Sequence, residues 1–246
     1  MSYRTVMAAD LKGYGSAPQN AQDVLQQNLA GCLRDAAGRA GLDPQRWGEA
    51  GRGDGMLMVL PPDVAVESLA GRFVRELNAA LRARNRLVSA AARVRMLLAI
   101  HHGPVAEAAI GYSGTAPVVV TRLCGADSLR DALDAAGADL GVVMSAFVYR
   151  SSVEAGMTSL DPADLRHVRL PDLGADGDGW IWFPGGPDPH TVDFPDGLAG
   201  GTEREQKQEP KSPPRRPSRP DSPSVDFSRG NTYIGRDQNN YYGGRP

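Results

Sequence analysis

Strand-type runs alternate with helical repeats along the first three quarters of this chain, and their order limits the fold more than any other feature. Apolar spacings of three and four residues recur from Gln19, from about Asp63 and from about Ala116. The strand-type runs are Tyr3–Ala9, Met56–Leu60, Ala92–His101, Leu140–Val148, and a closing hairpin of Val168–Leu170 and Trp180–Phe183. The order strand, helix, hairpin, helix, strand, helix, strand, hairpin predicts an α+β fold, a mixed sheet with helices packed on one or both faces.

Glycines and prolines set the expected ends of several elements. Gly41 is the expected C-cap of the first helix, and His102-Gly103-Pro104 is expected to end the Ala92–His101 strand. Gly111 and Gly114 are expected to bracket a loop. One helix should then run to Gly137.

The composition changes after Pro184 and divides the chain into three parts. The segment 185–224 is rich in Gly, Pro and charged residues and has almost no large apolar side chain. Such a segment cannot bury enough surface to offset the entropy of ordering. We therefore expect a folded domain over residues 1–184, a disordered linker over 185–224 and a short motif over 225–246.

Composition also narrows the class of protein. The net charge of −2 gives no general signal for nucleic acid or an anionic membrane, and no apolar run approaches the ~20 residues that span a bilayer. Met1–Asp10 lacks the apolar core of a signal peptide. Cys32 and Cys124 have no metal or redox spacing and are expected to be buried thiols in a reducing compartment. These features predict a cytoplasmic protein without a membrane or nucleic-acid partner.

Two aspartates stand at predicted strand ends. Asp10 ends the first strand, and Asp54 lies in the turn Gly53-Asp54-Gly55. If the first strand lies beside that hairpin, both carboxylates meet at one sheet edge and can bridge two divalent ions about 3.5–4 Å apart. The alternative is that each aspartate serves only its own turn, and spacing alone leaves both interpretations open.

Four stretches, in this order, resemble the motifs of class III nucleotidyl cyclases. Val6–Tyr14 is similar to the opening motif, Gly53-Asp54-Gly55 to the second metal-binding turn, Val94–Val105 to the strand and turn with an Ile-His-x-Gly run, and Thr121-Arg122-Leu123 to the end of the motif with the catalytic asparagine and arginine. The resemblance covers about residues 3–184. It implies the ferredoxin-like palm of the cyclases, and a homodimer, because the active sites of that family form across a dimer interface.

The resemblance also implies a site. Asp10 and Asp54 would hold Mg²⁺ or Mn²⁺, and Arg122 would contact the triphosphate of a nucleotide. Gly13, Tyr14 and Gly53 would complete the nucleotide-binding set.

Several positions depart from the family pattern. Val118 stands where the family has its catalytic asparagine, Ala50 and Gly111 stand at the two base-selecting positions, and Arg169 is the basic residue nearest to the expected transition-state lysine. Losing one preorganised polar group commonly costs ~10²–10³ in rate. The pattern therefore favours a divergent, catalytically impaired domain that binds nucleotide or metal. The alternatives are an active cyclase that makes a cyclic nucleotide from a nucleoside triphosphate, and a plain nucleotide- or metal-binding regulator.

Adjacent His101 and His102 also invite a metal interpretation. On a strand, neighbouring side chains point to opposite faces, so the two cannot easily bind one ion. A structural role is expected for both.

The C-terminal stretch Val225–Gly244 returns to order-promoting residues after the linker. Its Asn, Gln, Gly and Tyr content suits stacked strands with amide ladders, and it resembles amyloid signalling motifs of the RHIM-like and fungal prion-like type. That resemblance implies an effector recruited by β-templating through Asn231, Tyr233, Ile234, Gly235, Gln238, Asn239 and Asn240. The alternatives are a disordered polar tail and a strand that docks on the sheet edge of a partner.

Overall fold

The computed structural model describes residues 1–194, whose strands form one mixed sheet with helices on both faces. The strands are β1 (Ser2–Leu11), β2 (Gly48–Arg52), β3 (Gly55–Val59), β4 (Met96–Glu107), β5 (Tyr112–Ser113), β6 (Leu140–Ser145), β7 (Arg166–Arg169) and β8 (Asp178–Trp182). The helices are α1 (Gln19–Ala40), α2 (Val74–Asn85), α3 (Thr115–Cys124), α4 (Asp127–Ala135) and α5 (Ala146–Tyr149). The strands follow the order β2-β3-β1-β4-β6-β8-β7, with β5 paired to β4. The predicted α+β architecture is confirmed.

Strand β1 lies at the centre of the part of the sheet that carries the candidate site. It pairs antiparallel with β3 on one side, where Asp10 faces Gly55, and antiparallel with β4 on the other, where Asp10 faces Leu97. Strand β6 pairs parallel with β4 only over Met96–Ile100. The carboxyl end of β1 therefore lies between the β2–β3 turn and the start of β4.

Alternating side chains of these strands build two cores, as the two-residue period of a strand requires. Helices α1 and α2 cover one face, and their core includes Met7, Met58, Leu98, Leu33, Phe73 and Leu77. Helices α3 and α4 cover the other face, with Ala8, Leu57, Ala99, Val120, Leu129 and Leu133. Burial on both faces explains why the central strands are near-continuous apolar runs.

Helix α1 follows its predicted pattern closely. Leu25, Leu29, Cys32 and Leu33 are buried, as the spacing of three and four residues predicts. Gly41 caps the C-terminus in the left-handed region, with φ 78°. Cys124 is also buried, and both cysteines are free thiols, as expected.

Strand β4 does not end where the sequence predicted. It continues through His102-Gly103-Pro104 to Glu107 and pairs with β1 along this stretch. Since the pairing of β4 with β6 ends at Ile100, Pro104 lies where β4 has a long strand partner on one side only, a position at which proline is tolerated. The expected loop between Gly111 and Gly114 likewise contains the short strand β5.

The single helix predicted between Ala116 and Gly137 is two helices. The N–H of Gly125 closes α3 on the carbonyl of Thr121 (2.9 Å), and extended backbone at Ala126 (ψ 121°) starts α4 in a new direction. This break sets the direction of α4 at the candidate site.

The folded part also extends beyond the predicted boundary at residue 184. Arg166 Nη1 donates to the carbonyls of Pro189 (3.1 Å) and Val192 (2.8 Å), and its guanidinium lies 4.1 Å from the centroid of the Phe194 ring. Residues 185–194 therefore pack against the domain instead of starting a linker. The remainder of the predicted linker, and the tail motif 225–246, lie outside the described residues.

Across residues 1–194, no helix has both the length and the apolar character needed to cross a membrane.

Candidate functional site

The two predicted metal ligands lie at one edge of the sheet. Asp10 pairs with Gly55 across the β1–β3 ladder, and the N–H of Leu11 donates to the carbonyl of Asp54 (2.9 Å). The Asp10 side chain is only 13% exposed. Burial raises the pKa of Asp10, and the carboxylates of Asp54 and Asp127 raise it further, while Arg130 acts in the opposite direction.

Arg130 of α4 contacts this carboxylate directly, which the sequence analysis missed. Its Nε donates to Asp10 Oδ2 (2.9 Å), and its Nη2 lies 2.8 Å from the same oxygen. Its Nη1 bonds Asp127 Oδ1 one turn earlier on α4 (3.2 Å). No local spacing around Arg130 indicates this contact, because Asp10 lies 120 residues earlier in the sequence.

A second group of ion pairs holds α4 across the same edge. Asp134 accepts from Lys12 Nζ (2.7 Å) and from Arg95 Nη1 (2.9 Å). Arg95 Nη2 also donates to the carbonyl of Leu133 (3.0 Å). Lys12 directly follows β1 and Arg95 directly precedes β4. Through these two residues, Asp134 connects α4 to both central strands.

The carboxylate pair suits a divalent ion in its chemistry, because Mg²⁺ and Mn²⁺ prefer oxygen ligands. Asp10 Oδ2 is already bonded to Arg130, so an ion at this oxygen would compete with the guanidinium. Within residues 1–194, no group of three or more His, Cys, Asp or Glu side chains is arranged to hold a metal ion, so Asp10 and Asp54 would act as a pair.

The glycine-rich turn after β1 lies beside the β2–β3 turn. Gln26 of α1 donates to Tyr14 Oη (2.8 Å) and to the carbonyl of Gly53. Gly13 and Gly53 both have positive φ, 77° and 49°, which explains why glycine occupies these turns. The structure thus brings together Gly13, Tyr14 and Gly53, three of the residues predicted to bind nucleotide.

Arg122, the fourth, lies elsewhere. It lines a groove of about 870 Å³ together with Arg169, the segment 170–173 and the first turn of α4, Asp127 and Ser128. Asp10 and Asp54 are not among the residues that line this groove. Asp127 lines the arginine groove and also accepts a hydrogen bond from Arg130, so α4 connects this groove with the carboxylate pair.

The positions that would select a base face each other but carry no polar group. A Cβ atom on Gly111 would lie 3.8 Å from Cβ of Ala50. Val118, which replaces the expected asparagine, is 49% exposed on α3, one turn before Arg122. No side chain at these three positions can donate or accept a hydrogen bond to a nucleotide.

The two histidines lie on opposite faces of β4, as predicted. His102 Nδ1 lies 3.1 Å from Thr5 Oγ1, and its ring stacks on Phe147 at 5.0 Å. Burial lowers the pKa of His101 to about 4. His101 Nδ1 has no hydrogen-bond partner among the described residues. The two rings do not form a metal site.

Solved cyclase structures share this arrangement of strands and helices. The guanylyl cyclase Cya2 matches with a TM-score of 0.50 and 18% identity, over 80% of this chain and 96% of that one. The adenylate/guanylate cyclase/hydrolase from Silicibacter pomeroyi matches with a TM-score of 0.52 and 19% identity, over 74% of this chain and 97% of that one. The domain has the cyclase fold.

The predicted ferredoxin-like palm of the cyclase type is therefore confirmed. No protein-family model and no curated protein sequence matches the chain. At 18–19% identity, this similarity establishes the fold but not the chemistry of the site.

Proposed function

We propose that this protein is a signalling protein with a catalytically impaired nucleotide-binding domain and a C-terminal tail that recruits an effector. The observation that carries the proposal is the contrast within the candidate site. Asp10, Asp54 and Arg122 keep the charges that a metal–triphosphate needs. The three positions at which the family reads the base and orients the ribose are Val118, Ala50 and Gly111.

Cyclisation requires the ribose hydroxyl to be held in line with the phosphorus that it attacks. Orientation of this kind supplies a large part of the rate enhancement in enzymes. Val118 offers no hydrogen bond for it, and one lost preorganised donor commonly costs ~10²–10³ in rate. With Ala50 and Gly111 also apolar, little cyclase activity should remain.

Binding is a smaller demand than catalysis. We propose that Arg122 contacts the triphosphate, as a charge-assisted contact to phosphate does not depend on the base. Asp10 and Asp54 would hold Mg²⁺ or Mn²⁺, and such an ion, when bound, would polarise phosphoryl oxygens. Gly13, Tyr14 and Gly53 would border the nucleotide near the carboxylates.

A homodimer would bring the arginine groove of one chain and the carboxylate pair of the other to the same nucleotide. In one chain, the groove that contains Arg122 is not lined by the carboxylates. A second copy could bring its arginine groove against the carboxylate edge of the first, so that one nucleotide contacts both. We place this function in the cytoplasm, where nucleoside triphosphates are available and thiols stay reduced.

The tail is proposed to provide the output. Its Asn-, Gln-, Gly- and Tyr-rich motif around Tyr233, Ile234 and Gly235 has the composition of segments that stack as in-register strands. It follows a segment with almost no large apolar side chains. Templating on an effector with a matching motif would convert nucleotide sensing into assembly.

The catalytic part of the proposal is tested by incubating the protein with each nucleoside triphosphate and Mn²⁺ and measuring cyclic nucleotide. Almost none should form. Robust turnover that is abolished by Asp54→Ala would support the alternative, an active cyclase, and would overturn the impaired-domain proposal.

The binding part is tested by calorimetry with nucleoside triphosphates. Arg122→Ala should weaken binding by about tenfold, because a charged contact to phosphate is worth more than a neutral one. The control is Arg86→Ala. Arg86 is an exposed arginine at the C-cap of α2, and its replacement should leave the affinity for nucleotide unchanged. Equal affinity in wild type and Arg122→Ala would remove Arg122 from the site.

The tail is tested in the full-length chain by thioflavin fluorescence and sedimentation. Gly235→Pro and Gln238→Lys should slow or prevent assembly, since proline removes a ladder hydrogen bond and stacked lysines repel. A wild-type chain that stays monomeric at high concentration would contradict β-templating.

A further inference from the structure

We propose that Arg130 acts as the resident cation of the carboxylate pair, so that a divalent ion binds at Asp10 and Asp54 only by displacing the guanidinium. The proposal rests on the proposed metal site and adds what regulates it. In this proposal, α4 holds Arg130 at Asp10 and so prevents metal binding.

The contact geometry supports direct competition. Two nitrogens of Arg130 lie 2.9 and 2.8 Å from a single oxygen, Asp10 Oδ2. A divalent ion bound to that oxygen would lie at about 2.0–2.6 Å from it, within a few ångströms of the guanidinium. Like charges at such a distance repel strongly where water is scarce, so one cation excludes the other.

The guanidinium is held in place from two directions. Its Nη1 bonds Asp127 Oδ1 at 3.2 Å, and its side chain is 29% exposed. Helix α4, which carries it, is fixed by the fully buried Leu129 and Leu133. Moving Arg130 away from Asp10 therefore breaks a partly buried, charge-assisted pair. This costs more than a rotamer change of an exposed, unpaired side chain.

The negative charges around Asp10 favour a resident cation. Arg130 bonds both Asp10 and Asp127, and of these two carboxylates Asp10 is the more buried, since the Asp127 side chain is 93% exposed. Arg130 therefore offsets the repulsion between neighbouring carboxylates without any metal.

The test measures Mn²⁺ binding without nucleotide, by the loss of the free-ion signal in electron paramagnetic resonance. Arg130→Met keeps the length of the side chain and removes its charge. We expect it to bind Mn²⁺ at least about tenfold more tightly than wild type, the effect of removing one competing charge-assisted pair.

Two controls locate the effect. Arg93→Met removes a comparable arginine, 3.1 Å from Asp139, whose side chain is 14% exposed, and should leave Mn²⁺ affinity at the wild-type value. The double variant Arg130→Met with Asp54→Asn should lose the increase in Mn²⁺ affinity, because the site freed of Arg130 then has only the carboxylate of Asp10.

Equal Mn²⁺ affinity in wild type and Arg130→Met would overturn the proposal, and so would a lack of binding in both. Thermal unfolding checks that the variant is folded. If it is not, Arg130→Gln, which is neutral but polar, takes its place under the same expectation. Because no nucleotide is present, a failure here is distinguishable from a failure of triphosphate binding by the Arg122 groove.

Discussion

Two regions of this domain differ in polarity: the carboxylate edge around Asp10 and Asp54, and the apolar corner formed by Ala50 and Gly111. At the edge, Arg130 forms an ion pair with Asp10, and Lys12 and Arg95 form ion pairs with Asp134 of the same helix, α4. At the corner, Ala50 and Gly111 face each other without a polar atom on either side chain.

Their places in the fold explain the difference. Ala50 lies on the edge strand β2, where it is only partly buried against the core, and Gly111 lies in the turn between β4 and β5. Asp10 lies at the end of the central strand and is bonded to α4. Removing its carboxylate would leave Arg130 without its main partner, and breaking one member of a buried pair is costly. Asp10 therefore has a role in the fold that does not depend on catalysis.

The largest expected effect tests whether apolar packing holds α4 at the carboxylate edge. Leu129→Ala should lower the free energy of unfolding by about 2–4 kcal/mol, because Leu129 is fully buried. Asp131→Ala, at an exposed position of the same helix, should change it by less than about 0.5 kcal/mol. Urea unfolding measures both. Similar values for the two variants would show that α4 is not packed as described.

The next effect compares a half-buried titratable group that has an ion-pair partner, Asp10, with one whose ring Nδ1 has no hydrogen-bond partner among the described residues, His101. The folded pKa of His101 is about 4, against 6.5 in the unfolded chain. The unfolded chain therefore binds the proton first, so this contribution is fully present above pH 6.5 and is lost as the pH falls towards 4.

The loss should reach at most about 3 kcal/mol. His101→Gln should flatten the fall in unfolding free energy between pH 6.5 and 4, whereas His190→Gln, at an exposed position, should leave it as in wild type. An unchanged slope in His101→Gln would mean that His101 titrates normally.

A smaller effect separates the ion pairs of α4 from its packing. Asp134→Asn weakens the pairs with Lys12 and Arg95 (2.7 and 2.9 Å). Since Asp134 is 44% exposed, solvent screens these pairs and the expected loss is about 0.5–1 kcal/mol. Urea unfolding at low and high salt checks the value, and a loss that does not shrink with salt would argue against an ionic origin.

The smallest effect concerns the apolar positions Val118, Ala50 and Gly111 of the proposed nucleotide site. Val118→Asn restores one hydrogen-bonding group on an exposed helical position, and should change stability by less than about 0.5 kcal/mol. With Ala50 and Gly111 still apolar, we expect no measurable cyclic nucleotide. Clear turnover in this single variant would show that one substitution is enough for cyclase activity, and it would contradict the proposal that the domain is catalytically impaired.

The sequence alone predicted the order of strands and helices apart from the division between α3 and α4, and its resemblance to the cyclases predicted the palm. It left open whether Asp10 and Asp54 meet or each serves its own turn. Hydrophobic periodicity is local, so it can be read along the chain: the repeat of α1, its Gly41 cap and the Gly53–Gly55 turn all appear as predicted. The separation of His101 and His102 also follows from the strand period alone.

Only the tertiary structure decided what surrounds these residues. The ion pair between Arg130 and Asp10 joins positions 120 residues apart, and it depends on the break at Gly125-Ala126 that turns α4. The course of β4 through Pro104 depends on where β6 stops, and the packing of Phe194 depends on Arg166 of another element. Each of these is a contact between distant segments, and no local pattern of spacing or propensity encodes which segments will meet.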